Sequence, residues 1–408
     1  MKFNIEKIFV EVLVCRYNRG SGRRCSFNVS ESAFLKLYIV TIDITTKRCY
    51  LDNERCNDKS YNNAGMKQPD RTARRHSENR RLKDQMAIQI LNRKKQAKKV
   101  DFMQFLSGVP ARDYVFQHTP YEEQVREAAT LLKSADAVII GAGAGLSTAA
   151  GLNYGGKRFT DNFGEFIERY GSAAMTDMYS AGFYPFPSEE AKWGYWSKHT
   201  YLNRIEPEAL PLYQMIYDLV NEKPHFVLTT NVDHQFWKAG FADENIFATQ
   251  GDYGEIQCAR GCHDKVYEAE EMFLEMNRAR RDCEIPSDMV PRCPVCGGNM
   301  AMHLRCDQYF VEDEHWNEAA GRYAAFLKEH QKDKVVLLEL GVGFNTPTII
   351  RFPFEKMVRE NDRWTLVRLN LREAVVPESF HKRAVGINED ICRCMEDIRK
   401  EAEKDVVW

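Results

Sequence analysis

The sequence predicts an α/β fold: a doubly wound parallel sheet, interrupted by one small cysteine-bearing insert and accompanied by a helical module. Three observations predict it. Five short apolar runs recur along the chain, and each closes on small or polar residues. The first run feeds a glycine-rich loop. Four of the twelve cysteines stand as two tight pairs between the third and fourth runs.

At 408 residues the chain has room for two to three domains. A net charge of −2 argues against general nucleic-acid binding. No apolar run approaches the ~20 residues needed to span a bilayer. Ile8–Cys15 is short, Glu11 interrupts it, and bulky Val14 precedes Cys15, so the expected location is cytoplasmic. Residues 1–110 read as a basic, partly disordered N-terminal extension. Between Lys67 and Lys99 twelve Lys or Arg face three acids, Asp70, Glu78 and Asp84. A partner-binding or nucleic-acid-binding arm is one reading. A solvated extension without aromatic interleaving is the favoured one, and it leaves open an upstream region outside the natural product, with Met66 and Met86 as alternative starts.

Order is expected from Thr119 onward. Thr119-Pro120-Tyr121-Glu122 supplies a cap, proline in the first turn and a glutamate three after the cap. Val125, Ala128, Ala129 and Leu132 follow at helical spacing. Ala137–Ile140, β-branched at three of its four positions, is the first strand. Gly141, Gly143 and Gly145 come next, and glycine lets backbone N–H groups approach a ligand with no Cβ between. Ser147 and Thr148 suit the first turn of a helix, whose positive end favours phosphate. Strand, glycine loop and helix make a Rossmann-like opening. Leu146 stands where G-x-G-x-x-G needs its third glycine, which weakens a hydride-transfer reading.

Residues 155–222 read as the helical module: a Gly-, Asn- and aromatic-rich loop, an aromatic-dense stretch from Met175 to Trp196, and the helix Pro211–Val220. The remaining strands are His225–Thr230, ending at Asn231-Val232-Asp233; Asn245–Thr249, ending at Gln250-Gly251-Asp252; Lys334–Leu340, ending at Gly341-Val342-Gly343; and Trp364–Leu369, ending at Asn370. Polar or small residues at the carboxyl ends of parallel strands are where open α/β sheets hold ligands.

Cys258-x3-Cys262 and Cys293-x2-Cys296 can present four thiolates to one metal, with Pro294, Gly297 and Gly298 supplying turns. Four thiolates close a tetrahedral structural zinc (Zn2+) site, so residues 258–296 are expected to be a zinc-binding insert. His263 is expected to be a neighbour, and Cys283 and Cys306 spare thiols. The Rossmann-like domain then comprises 111–257 and 297–408.

Five stretches in order, GAGAGLSTAAGL, TTNVDHQFWKAGF, TQGDYG, CPVCGG and LELGVGFNTPTIIRFPF, resemble the sirtuins over about residues 115–400. In detail they are most similar to the class M, macrodomain-linked sirtuins. The resemblance implies NAD bound between a Rossmann-like domain and a smaller zinc-bearing one. It implies that Gly141, Ala142, Gly143, Ala144 and Gly151 surround the phosphates. Asn231 would bond the nicotinamide-side ribose or an ordered water, and Asp233 would meet the nicotinamide amide. Gln250 would contact the ribose hydroxyls and the incoming acceptor. Gly341, Gly343, Asn345 and Thr346 would line the adenosine half, with Asn370, Asp390 and Ile391 at the adenine end. Read by themselves, Asn231, Asp233 and Asp390 could equally cap helices, and Asn370 could serve a strand-end turn.

Most sirtuins deacylate lysine with a histidine as general base before the motif's glycine. That position is Gln250 here, and an amide cannot take up a proton near neutral pH. The family's Pro-Asp-Phe-Arg run is replaced by Asn153-Tyr154-Gly155-Gly156. The resemblance therefore implies protein mono-ADP-ribosylation, with Asn231 and Gln250 as the catalytic pair. The acceptor it implies is a lipoylated glycine-cleavage H-like carrier protein under redox stress, with a macrodomain hydrolase reversing the mark. A lysine deacylase or NAD glycohydrolase, and an NAD-sensing binding module, are the rival readings.

Overall fold

Runs of Val, Ile and Leu without polar alternation suit strands buried on both faces, as in a parallel sheet covered by helices. The computed structural model describes residues 114–344 and 347–404. The N-terminal extension, Asn345 and Thr346 lie outside the described residues. In chain order the strands are β1 (Tyr114–Val115), β2 (Ala137–Ala142), β3 (His225–Thr229), β4 (Ile246–Ala248), β5 (Gly251–Cys258), β6 (Val266–Glu268), β7 (Met300–Leu304), β8 (Val335–Leu340), β9 (Thr365–Leu369), β10 (Val376–Pro377) and β11 (Ala384–Ile387).

Six of them form the main sheet in the order β11-β9-β8-β2-β3-β4. Every neighbouring pair is parallel. Numbered among themselves along the chain and read from the β4 edge, they run 3-2-1-4-5-6, the order of a dinucleotide-binding Rossmann sheet. The sixth strand was not among the five expected: Ala384–Ile387 is four residues long and contains Gly386, too short an apolar run to stand out.

The two faces follow from alternation along each strand. Val138, Ile140, Val227, Val336, Leu338, Val367 and Val385 pack in one core with helices Tyr121–Ser134, Pro211–Val220 and Ile391–Glu403. Val125 and Leu132 of the first helix are buried, each contributing roughly 1.5–3 kcal/mol by leaving water. On the other face Phe226 meets Tyr323 and Phe326 of helix Glu314–Glu329.

Between β4 and β8 the chain leaves the main sheet to build a second one, antiparallel, in the order β6-β5-β7. This sheet reaches from Gly251 to Leu304, wider than the expected 258–296. The reason is geometric: cysteine knuckles sit at strand ends, so the strands that bring them together lie outside the cysteine span. Within the helical module, short helices Gly156–Asn162, Gly164–Tyr170, Met178–Gly182 and Glu189–Thr200 precede a π-helical turn at Tyr201–Ile205. Asp177 and Ser188 cap the last two helices through their side chains. Phe159, Phe163, Phe166 and Tyr195 are fully buried together and give the module its own core. Among the described residues no helix is long and apolar enough to cross a membrane.

Candidate active site

In the main sheet the chain steps from β2 to β3 on one side and later returns to β8 on the other. The chain beyond β2 and beyond β8 therefore continues on opposite faces of the sheet, Leu146 on one and Phe354 on the other, and a crevice lies at the carboxyl ends of the strands. A cleft of about 260 Å³ lies there, lined by Gly143, Ala144 and Gly145 after β2, Thr230 after β3, Gly341, Val342 and Gly343 after β8, and Asn370 after β9.

The glycines are explained by backbone contact across this crevice. Gly145 N donates to Gly341 O at 3.0 Å. A Cβ on Gly145 would lie 2.7 Å from that oxygen. Gly341 has φ +64°, and a Cβ there would lie 2.2 Å from Leu146 N. Two loops can approach this closely only when neither carries a side chain at the crossing. Leu146 is fully buried in the main core, so its side chain anchors the helix that begins the loop's far side.

The expected ligand residues separate into groups. Gly143, Ala144, Gly341, Gly343 and Asn370 come together in the cleft. Asn370 also orders its surroundings: its Nδ2 donates to Val342 O at 3.2 Å, and its Oδ1 accepts from Arg372 N and Glu373 N at 3.0 Å each. Gly141 lies inside β2 facing Ile350 and Phe354, and Ala142 is buried with its carbonyl accepting from Thr230 N. Both stand behind the cleft rather than in its lining. Gly151 forms an exposed left-handed turn at φ +104°. Asp390 caps the last helix by accepting from Arg393 N at 3.1 Å, and Ile391 joins the main core.

Asn231 and Asp233 follow β3 and are 8% and 2% exposed. Ser147 Oγ donates to Asp233 Oδ2 at 2.5 Å and lies 2.9 Å from the Tyr213 hydroxyl. Asn231 Nδ2 donates to that hydroxyl at 3.2 Å. Burial pushes the Asp233 carboxyl above its ordinary range, against the pull of the Ser147 and Gln235 N–H bonds. Gln250, half-buried, ends the segment after β4, where the chain crosses into the insert; its carbonyl accepts from Arg305 N at 3.1 Å. Sequence reasoning did not single out Thr230 or Tyr213. Thr230 could have been found as the last residue of HFVLTT at a strand end. Tyr213 sits on an amphipathic helix, where an aromatic reads as core.

The four cysteines converge. Cys258, Cys262, Cys293 and Cys296 have their sulfurs within 4.8 Å of one another. Cys258 and Cys296 are 3.8 Å apart, and Cys262 and Cys293 3.6 Å. Tetrahedral Zn–S bonds of about 2.3 Å place sulfurs roughly 3.8 Å apart, so the donor set fits zinc. His263 lies beside the cluster, Nδ1 3.1 Å from Cys262 Sγ, with Nε2 2.8 Å from the Tyr267 hydroxyl. Cys283 lies in the aromatic core of the helical module.

No family model matches the chain. A protein ADP-ribosyltransferase of Staphylococcus aureus is 35% identical over 270 residues, 66% of this chain and 85% of that protein. A probable bifunctional ADP-ribose hydrolase/ADP-ribosyltransferase of Fusarium oxysporum f. sp. cubense is 35% identical over 260 residues, 60% of this chain and 42% of that protein. Among solved structures, a Sir2 homologue in complex with NAD aligns with 13% identity and a TM-score of 0.46, over 72% of this chain and 99% of the other. By its likeness to the staphylococcal protein over most of that protein's length, this chain belongs to the protein ADP-ribosyltransferase family.

Proposed function

We propose that the protein transfers one ADP-ribose from NAD to a protein acceptor and releases nicotinamide. The observation that carries this is Gln250: an amide stands where a deacylase needs a base, in the segment that follows β4 at the carboxyl end of a Rossmann sheet. Breaking the nicotinamide–ribose bond builds positive charge on the ribose, while nicotinamide leaves neutral, so no strong acid is required. The protein's task is to hold, orient and exclude.

The loops Gly143–Gly145 and Gly341–Gly343 would hold the pyrophosphate from Ala144, Val342 and Gly343, since Gly143 N, Gly145 N and Gly341 N already donate to Leu340 O, Gly341 O and Leu369 O. Asn345, Thr346 and Asn370 would face the adenosine half. Asn231 would orient the nicotinamide-side ribose, Asp233 the nicotinamide amide, and Gln250 the ribose hydroxyls and acceptor. A zinc ion on the four thiolates would fix the insert and take no part in transfer.

The acceptor we favour is a lipoylated glycine-cleavage H-like carrier protein, in a cytoplasmic, oxidative-stress setting. A macrodomain hydrolase would remove the mark. In support, the Fusarium relative's name joins ADP-ribose hydrolase and ADP-ribosyltransferase in one protein.

The test is incubation with NAD and either lipoylated carrier or acyl-lysine peptide, followed by intact-mass spectrometry. A carrier heavier by one ADP-ribose is expected. A peptide that loses its acyl group makes the protein a deacylase. NAD binding without turnover on either substrate makes it a binding module.

A further inference from the structure

His234 follows Asp233 directly and has φ +64° and ψ 11°, a left-handed backbone. Among the described residues only Asp282 shares a positive φ without being glycine. Such a backbone disfavours a side chain and persists only where the surroundings over-determine it. Here they do. The imidazole stacks on Trp237 with ring centroids 4.5 Å apart and planes at 8°. Its Nδ1 lies 2.8 Å from Asp252 Oδ2.

Asp252 is two residues beyond Gln250 and is itself fixed. Its Oδ1 accepts from Arg204 Nε at 2.9 Å and from Gly254 N at 2.6 Å. Burial raises this carboxyl, but the bond to His234 and the Arg204 charge outweigh burial and hold it at about 2. The carboxylate is therefore ionised and can only accept, which makes Nδ1 the donor; in the neutral ring the lone pair is then on Nε2. The side chain is 29% exposed, against 9% for Asp252. The two segments are joined again by Tyr253 N donating to Val232 O at 2.9 Å. A base oriented by a buried carboxylate thus follows Asp233 directly in the chain, and that carboxylate stands two residues beyond Gln250, where the family's usual base has become an amide.

We propose that His234, oriented by Asp252, is the general base that deprotonates the acceptor during ADP-ribose transfer. This rests on the transfer reading above. In the step, the bond from ribose C1′ to the nicotinamide nitrogen breaks, and its electron pair leaves with neutral nicotinamide. A bond forms from C1′ to the acceptor's nucleophilic atom. That atom's proton passes to His234 Nε2, and Asp252 stabilises the imidazolium until the proton is lost to water. The charged groups around the ring are Asp252 on β5, Arg204 of the π-helical turn with its partner Glu270, and Asp233 and Lys238 on the imidazole's own segment.

Two measurements test it. The first compares the pH profile of transfer by the wild type and by His234→Asn. Asparagine accepts a left-handed backbone, so the variant should keep its thermal midpoint and NAD affinity. Transfer should fall about a hundredfold at pH 7.5, and its pH profile should change form. A variant that retains the wild-type profile overturns the proposal. The second is imidazole 15N NMR of the free protein. Wild type should show the Nδ1–H tautomer at His234, and Asp252→Asn should lose that preference; an Nε2–H ring in wild type also overturns it. A wild type that modifies no acceptor sinks the transfer reading instead, while the NMR result still decides the dyad.

Discussion

Asn231 Nδ2 donates to the Tyr213 hydroxyl at 3.2 Å, and this bond fixes which way the Asn231 amide faces. Ser147 spends its hydrogen on Asp233. The 2.9 Å contact between Ser147 and Tyr213 must then use the tyrosine hydrogen, so Tyr213 can only accept from Asn231. The amide nitrogen points inward and its oxygen is left for a ligand. Tyr213→Phe removes the acceptor and the donor at once. It should cost about 1–2 kcal/mol of stability and lower the transfer rate about tenfold, with little change in NAD affinity. Thermal melts and single-turnover transfer check this; an unchanged rate would mean that Asn231 is oriented without Tyr213.

The same chain ends on a buried carboxylate whose charge opposes folding. Asp233 has its pKa raised in the folded protein, with burial the largest cause. Its contribution to stability is therefore fully present below the ordinary carboxylate range and is lost as pH rises through the folded value. Once ionised, the group is a net cost. Asp233→Asn should raise the thermal midpoint at pH 7 to 8, and the gap from wild type should close as pH falls toward 4. Transfer should drop by about tenfold or more in the same variant. A midpoint below wild type at pH 7.5 would show that the charge is compensated.

The main sheet was legible because strands buried on both faces read as unbroken apolar runs, and the glycine loop marked the ligand edge. Pairings between distant residues were not legible. Tyr213 and Asn231 stand 18 positions apart, and nothing in PLYQMIYDLV distinguishes a core tyrosine from one that serves a site. Glu339 and Arg368 likewise interrupt apolar strands, and only the parallel register of β8 and β9, which places them opposite each other, explains how both can be buried.

That pair makes its own prediction. Arg368 donates from Nε and Nη2 to the two oxygens of Glu339 at 2.7 and 2.8 Å, and again to Glu355 at 2.9 Å. Arg351 reaches Glu339 at 3.3 Å, and Tyr114 donates to Glu355 at 2.7 Å. Two cations and two anions close on each other with side chains no more than 2% exposed. Removing one member leaves a buried charge without its partner. Arg368→Met should destabilise by about 3–5 kcal/mol in urea titrations. A loss below about 1 kcal/mol would mean that Glu339 or Glu355 takes up a proton when its partner is removed.

The four thiols separate a structural metal from a reactive cluster. Cys258 and Cys293 are buried, and Cys262 and Cys296 are exposed. One ion on all four would tie the end of β5 to the knuckle before β7, so metal binding and folding of the small sheet should be one event. Cys296→Ser should lower zinc from about one ion per chain toward none by elemental analysis. Amide hydrogens of β5, β6 and β7 should then exchange faster, while those of β2 and β8 in the main sheet keep their protection. Cys283→Ser, in the module's aromatic core, should leave zinc content unchanged. Full zinc in Cys296→Ser, or slow exchange in a metal-free insert, would show that the cysteines pack together without needing an ion.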